Sequence, residues 1–189
     1  MPIILRPYTL ADFDFFWSTI NSRIKWLASK GLEGQWGAEP WDSAVREHMR
    51  ARLPEDASKG AHNWIAEVDG ELAGFMQLTP LRAEHVPFPK SEDKPGDELY
   101  LRLFLVHPHF RGKAIGDFML DFAQTFALEK KVDWLRLDCW KGPEGKDGLV
   151  KYYERKGFTR RREFVVPPQG SRPTEYSGQL MELKVVKVQ

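Results

Sequence analysis

Residues 111–116 read Arg-Gly-Lys-Ala-Ile-Gly and lie between the apolar run "LRLFLV" and the run "DFMLDFAQTFALEK". A strand, a basic turn with two glycines and then a helix is an arrangement that suits an anion. The first turn of a helix carries unpaired N–H groups and the positive end of the helix dipole. Gly112 and Gly116 let a backbone approach an anion closely, while Arg111 and Lys113 add positive charge. The expected ligand carries phosphate. The turn is not a Walker A loop, which needs Gly-Lys-Ser/Thr after a fixed spacing. Other reactive side chains are sparse. His107 and His109 alternate around Pro108 without further ligand-like spacing, so no metal site is expected. Cys139, the only cysteine, sits between Leu137 and Trp140 in an apolar run and reads as a small buried residue rather than an acyl carrier.

The elements around the turn follow from hydrophobic period. "IILRPYTLADFDFFWSTINSRIKWLASKG" opens as a strand and becomes a helix at Thr9, with Asp12 completing a capping box. Phe13, Phe16, Trp17, Ile20, Ile24 and Leu27 recur at helical spacing, and Gly31 stops the run. Asp42 is expected to cap a second helix that Pro54 ends. "HNWIAEV" and "ELAGFMQL" flank Asp-Gly, a strong hairpin signal. A loop with four prolines leads to the strand "ELYLRLFLV". Residues 115–130 then form a helix with Ile115, Phe118, Met119, Phe122 and Phe126 inward. "DWLRLDCW", "DGLVKYYERKG", "FTRRREFVV" and "GQLMELKVV" read as strand, short helix and two strands. The order β-α-α-β-β-β-α-β-α-β-β describes one mixed α/β sheet.

The totals limit the function. With 189 residues the chain can bury a full core as one domain. A net charge of +1, from 28 basic and 27 acidic residues, gives no support to a nucleic-acid partner. No apolar run approaches a membrane span, and the N-terminus lacks a secretory pattern. The single cysteine excludes an internal disulfide and fits a reducing cytoplasm. A cytoplasmic monomer or homodimer is expected.

The stretch from Glu98 to Phe158 resembles the GNAT superfamily of acyl-CoA-dependent N-acetyltransferases. "LFLVHPHFRGKAIGDFMLDFA" is similar to its coenzyme A signature, Arg/Gln-x-x-Gly-x-Gly/Ala with a preceding Val-x-Pro. "YYERKGF" is similar to its later Tyr-Glu-x-x-Gly-Phe element, and "KWLASKGLEGQW" to a bacterial subgroup with a Trp-Leu…Gly…Gln-Trp segment. The resemblance implies a single domain over residues 1–189: an α/β fold with about seven strands and four helices, splayed between strands four and five.

It also implies roles. Backbone groups of Leu105 and Val106 would bond the pantetheine arm of acetyl-CoA. The amides of Arg111, Gly112, Lys113, Ala114, Ile115 and Gly116 would hold its pyrophosphate. Tyr153 would give the leaving thiolate its proton, with Tyr152 as rival. Glu98, which alternates along its strand with Tyr100, Arg102 and Phe104, would act as base; Glu67, Glu84 and His85 are weaker alternatives. No metal takes part. The acceptor would be a small-molecule primary amine, acetylated directly in a ternary complex. A protein or peptide acceptor, or a non-catalytic acyl-CoA-binding module, are the alternatives. Trp26, Trp36 and Trp41 would line the acceptor side, facing the connection 79–97 across the splayed strands, with core packing as the alternative for each. This sequence departs from the pattern twice. Ala114 replaces the first motif glycine, so its methyl group would crowd the pyrophosphate unless its φ is helical. "KGPEGKDG" stands where an asparagine is common.

Overall fold

Each change of hydrophobic period in the chain marks a boundary between elements. The computed structural model describes residues 2–80, 82–83, 85–87, 98–142, 146–168 and 175–185. The strands are β1 (Ile3–Pro7), β2 (His62–Val68), β3 (Glu71–Thr79), β4 (Glu98–Val106), β5 (Trp134–Trp140), β6 (Thr159–Val166) and β7 (Tyr176–Lys184). The helices are α1 (Phe13–Ala28), α2 (Ser43–Ser58), α3 (Ile115–Glu129) and α4 (Gly148–Arg155). One seven-stranded sheet runs β1-β2-β3-β4-β5-β7-β6, antiparallel except for the β4–β5 pair. The single-domain α/β architecture, with its four helices, is the one expected from the sequence.

Alternation along the strands divides the core. Ile65, Phe75 and Leu105 point to α1 and α2, where Phe13, Phe16, Ile20, Ile24, Met49 and Leu53 meet them. Ala66, Met76, Leu78, Leu135 and Leu137 point to the other face, under Ile115, Met119, Leu120 and Tyr153 of α3 and α4. The β2–β3 turn places Asp69 at φ 51° and Gly70 at φ 83°, the left-handed pair that a two-residue hairpin requires.

Two expectations need correction. Pro54 does not end α2; it lies inside the helix, which continues to Ser58. Leu53 and Asp56 are both buried, and this tertiary anchoring outweighs the hydrogen bond that proline removes. Phe118, expected inward on α3, is 40% exposed, because Ile115, Met119 and Phe126 already fill the stripe that faces the sheet.

The entry to α1 is held by charge. Asp12 accepts from the Thr9 N–H at 2.8 Å, and Arg6 grips both carboxylate oxygens of Asp12 at 2.7 and 2.8 Å. The Arg6 hydrogen bond, working against burial, draws the Asp12 carboxyl from 3.8 down to about 2. A depressed carboxyl contributes stability that is present above its unfolded value and lost as pH falls through the folded one. Asp12→Asn should therefore lower stability by ~2 kcal/mol at pH 7. It should also remove that share of the acid sensitivity between about pH 4 and 2, as read by urea titration at stepped pH.

Candidate active site

β4 and β5 are paired only where Glu98–Leu101 meets Trp134–Leu137, and beyond those residues the two strands separate. The gap is part of a cavity of about 1030 Å³ that reaches from the 111–116 turn to the underside of α2. The His107 N–H donates to the Ala73 carbonyl at 2.9 Å, which fixes the alternation of the end of β4. Leu105 therefore directs its backbone groups at β3, while Phe104 and Val106 present theirs to the gap. Of the expected pair, Val106 thus presents its backbone groups to the gap and Leu105 does not, because one residue in two faces each neighbour.

The turn that precedes α3 is a cluster of open donors. Among the described residues, the N–H groups of Gly112, Ala114, Ile115, Gly116 and Asp117 have no backbone acceptor, and the first such bond of the helix runs from Phe118 to Ala114. Gly112 has φ 78° and Ala114 has φ 57°, ψ 16°. Ala114 is thus left-handed, not helical as its methyl group was expected to require. A non-glycine residue there is disfavoured by roughly 1–2 kcal/mol, which the surrounding helix and turn must offset. Successive N–H groups in such a turn form an anion-binding concavity, and these residues fit a diphosphate. At Gly116 space is tight, since a Cβ there would lie 3.3 Å from the Tyr152 hydroxyl and would press on it.

Trp26 takes a place that the sequence did not suggest. The guanidinium carbons of Arg23 and Arg111 each lie 4.7 Å from the centre of its ring. Both arginines line the cavity; Trp26 does not. Burial, then Arg111, lowers the pKa of Arg23, and no carboxylate pairs with Arg23 among the described residues. Trp26 therefore organises positive charge beside the cradle, whereas Trp36 and Trp41 do line the cavity.

The two tyrosines of α4 diverge. The Tyr152 hydroxyl donates to Asp117 at 3.0 Å, at the start of α3. Tyr153 is 5% exposed, packs on Phe158 and also lines the cavity. Burial, reinforced by Cys139 and Tyr152, raises its pKa well above 10, so the phenol stays protonated at neutral pH. Cys139, beside it, has a thiol pushed up to about 12, chiefly by burial, and is no thiolate nucleophile.

Glu98 does not line this cavity. It is buried and paired with Arg82 and Arg136, and Arg136 also reaches Glu182 at 3.3 Å. A carboxylate enclosed by two guanidiniums cannot reach the gap, so the expectation of Glu98 as base is corrected. Phe104 also leaves the face expected for it, because a register shift at Gln77/Leu78 leaves Arg102 without a strand partner and puts Phe104 against α3 and α4.

The carboxylate in the gap comes from β5. Asp138 accepts from Tyr100 at 2.5 Å and from Tyr176 at 2.8 Å, and its Oδ2 lies 3.3 Å from Nε2 of His85. Burial favours the neutral acid, but these three partners outweigh it and hold Asp138 below the usual carboxylate value. Asp138 was missed as a sequence candidate, although an aspartate between Leu137 and Cys139 in an apolar strand is a usable signal. His85 belongs to the short described part of the connection after β3; Glu84 and most of residues 79–97 lie outside the described residues, as do 143–145 within "KGPEGKDG". Glu67 is bound to Arg6 at 2.6 Å.

Also in the cavity wall, Asp56, near the C-terminal end of α2, meets Arg52, Arg102 and Gln77, while Trp36 and Trp41 line the cavity from the segment before α2. Among the described residues, no group of three or more His, Cys, Asp or Glu is placed to hold a metal, and no helix is long and apolar enough to cross a membrane.

A family model for the acetyltransferase (GNAT) family matches residues 23–158. An uncharacterized N-acetyltransferase of Bacillus subtilis (strain 168), YesJ, is 23% identical over 152 residues, 80% of this chain and 79% of that one. A ribosomal-protein-alanine N-acetyltransferase from Brucella melitensis superposes with a TM-score of 0.70 at 20% identity, covering 97% of this chain and 99% of that one. The yncA protein of Salmonella typhimurium, solved with its cofactor acetyl-CoA, gives a TM-score of 0.69 at 15% identity, covering 100% and 97%.

Proposed function

This chain belongs to the acetyltransferase (GNAT) family and is an acyl-CoA-dependent N-acetyltransferase, and we propose that its acceptor is a small-molecule primary amine. The observation that carries this reading is the continuity of one cavity. Its wall includes the turn with the open amides of 112 and 114–117, then Tyr153 and Asp138, and the Arg52–Asp56–Arg102 cluster. An acceptor held at that cluster is bounded by α2 and the sheet, which supports a small molecule better than a protein tail.

Acetyl-CoA supplies the acetyl group as a thioester, and the remaining chemistry is assigned to side chains of this protein. The open amides, with Arg111, Lys113 and Arg23, hold the diphosphate. Phe104 and Val106 hold the pantetheine arm through their backbone groups. His85, oriented by Asp138, takes the proton that the amine loses as its nitrogen bonds to the acetyl carbon. Tyr153 gives a proton to the thiolate released when the carbon–sulfur bond breaks. Protons balance: one leaves the amine and one reaches sulfur.

Thiol release from acetyl-CoA across a panel of small amines and of peptides with free N-termini tests the reading. Turnover with small amines is expected; acetylation of peptides alone assigns the protein acceptor instead. Tight binding of acetyl-CoA with no turnover on either set assigns a non-catalytic module. Gly112→Asp places a carboxylate against the diphosphate and should weaken acetyl-CoA binding by roughly 10–100-fold in a calorimetric titration. Gly112→Asn is the control, because asparagine tolerates positive φ and brings no charge.

A further inference from the structure

The far end of the cavity holds more positive charge than its own carboxylate can neutralise. Arg52 and Arg102 both face Asp56, which among the described residues is the only carboxylate within ion-pair distance of either; Glu55, exposed on α2, acts on Arg52 from farther away. Neither arginine grips Asp56 well. Arg52 Nε lies 3.5 Å, Arg102 Nη1 3.3 Å and Gln77 Nε2 3.4 Å from the same oxygen, Oδ2. In the same molecule, Arg6 holds Asp12 through two short bonds, one to each oxygen, at 2.7 and 2.8 Å. Arginine–carboxylate pairs are frequently bidentate in this way, which adds both energy and geometric definition. The Arg52–Asp56–Arg102 cluster instead leaves most guanidinium N–H groups without a partner among the described residues.

The backbone is also arranged to present Arg102. The register of β3 against β4 slips at Gln77/Leu78, so that Arg102 is the extra residue of the bulge and turns toward α2. Its side chain is 16% exposed and that of Arg52 33%, and both line the cavity, as do Trp36 and Trp41. Tyr100, two positions earlier on β4, carries Asp138 on its hydroxyl. A strand rises ~3.3 Å per residue, so one small molecule spans from the Asp138–His85 pair to Arg102.

Resting on the acetyltransferase reading above, we propose that the acceptor carries a carboxylate as well as its amine, and so belongs to the amino-acid class. Arg102, with Arg52, binds the carboxylate and neutralises the surplus charge. The aromatic faces of Trp36 and Trp41 contact the body of the molecule. The amine is thereby directed to the gap where Asp138 and His85 stand.

Acceptor pairs that differ only in the carboxylate test this: phenylalanine against phenethylamine, tryptophan against tryptamine, and methionine against 3-(methylthio)propylamine. By thiol release, the amino acid of at least one pair should exceed its amine in kcat/KM by roughly 10–100-fold, the value of a charged hydrogen-bonded pair. Arg102→Met should erase that preference by raising KM for the amino acid, and Arg102→Lys should keep part of it. Calorimetry of the preferred amino acid against enzyme saturated with coenzyme A should show the same loss in Arg102→Met. An amine equal to or better than its amino acid in every pair overturns the proposal and leaves the transferase reading intact. So does a panel that is inert while acetyl-CoA binds. Failure to bind acetyl-CoA at all overturns both. If Arg102→Met does not fold, the wild-type ratios decide.

Discussion

Tyr153→Phe is expected to lower kcat by about 10²–10⁴-fold, the range for loss of one positioned proton donor, with acetyl-CoA affinity little changed. The phenol is buried at the divergence of β4 and β5, and burial keeps it protonated well beyond neutral pH. Phenylalanine keeps the ring and its contact with Phe158, so the fold should survive and only the proton is removed. Tyr152→Phe provides the contrast. Its hydroxyl is already bonded to Asp117 near the amide cradle, so its loss should weaken coenzyme binding more than it slows turnover. Steady-state kinetics and calorimetry on the two variants separate these outcomes. Slow turnover in Tyr152→Phe with normal turnover in Tyr153→Phe would exchange the two assignments.

What could be read from the sequence divides by the kind of physics involved. Period and punctuation are local, so the strands, the helices, the Asp69–Gly70 hairpin and the basic turn before α3 were legible. Pro54 was misread because its penalty is local while the contacts that outweigh it, Leu53 and Asp56 against the sheet, are not. The acid and the base show the same contrast. Tyr153 lies in a contiguous element and could be singled out. Of the base proposed here, His85 was among the weaker candidates and Asp138 was not one, because its parts come from β5, β4, β7 and the connection after β3, brought together only by strand order. Glu98 failed as base for a related reason. It shares a sheet face with Tyr100, but two residues farther from the gap, and the arginines that enclose it come from distant parts of the chain. The tryptophans divide likewise: clustering marked a region, yet only the tertiary structure sends Trp26 to Arg23 and Arg111 and Trp41 to the cavity.

Asp138→Asn and His85→Ala should each reduce kcat/KM by about 10²–10⁴-fold, but through different defects. Asp138 is a carboxylate with three partners, of which His85 and Tyr176 line the cavity beside it and Tyr100 does not; of the two that do, His85 is the one whose side chain can take up a proton near neutral pH. An imidazole that donates its Nε2 hydrogen to Asp138 keeps the lone pair of Nδ1 for the proton of the amine. Asparagine preserves the size of Asp138 but not its charge, so the imidazole loses both its orientation and the partner that stabilises its protonated form. Alanine at 85 removes the base itself and leaves a space of the same shape. Added imidazole should therefore restore part of the activity of His85→Ala and none of that of Asp138→Asn. Because its partners hold Asp138 below the ordinary carboxylate range, it stays ionised at neutral pH and keeps its charge for the imidazole. If His85→Ala turns over normally while Asp138→Asn is slow, Asp138 itself accepts the proton and His85 only packs against Tyr176.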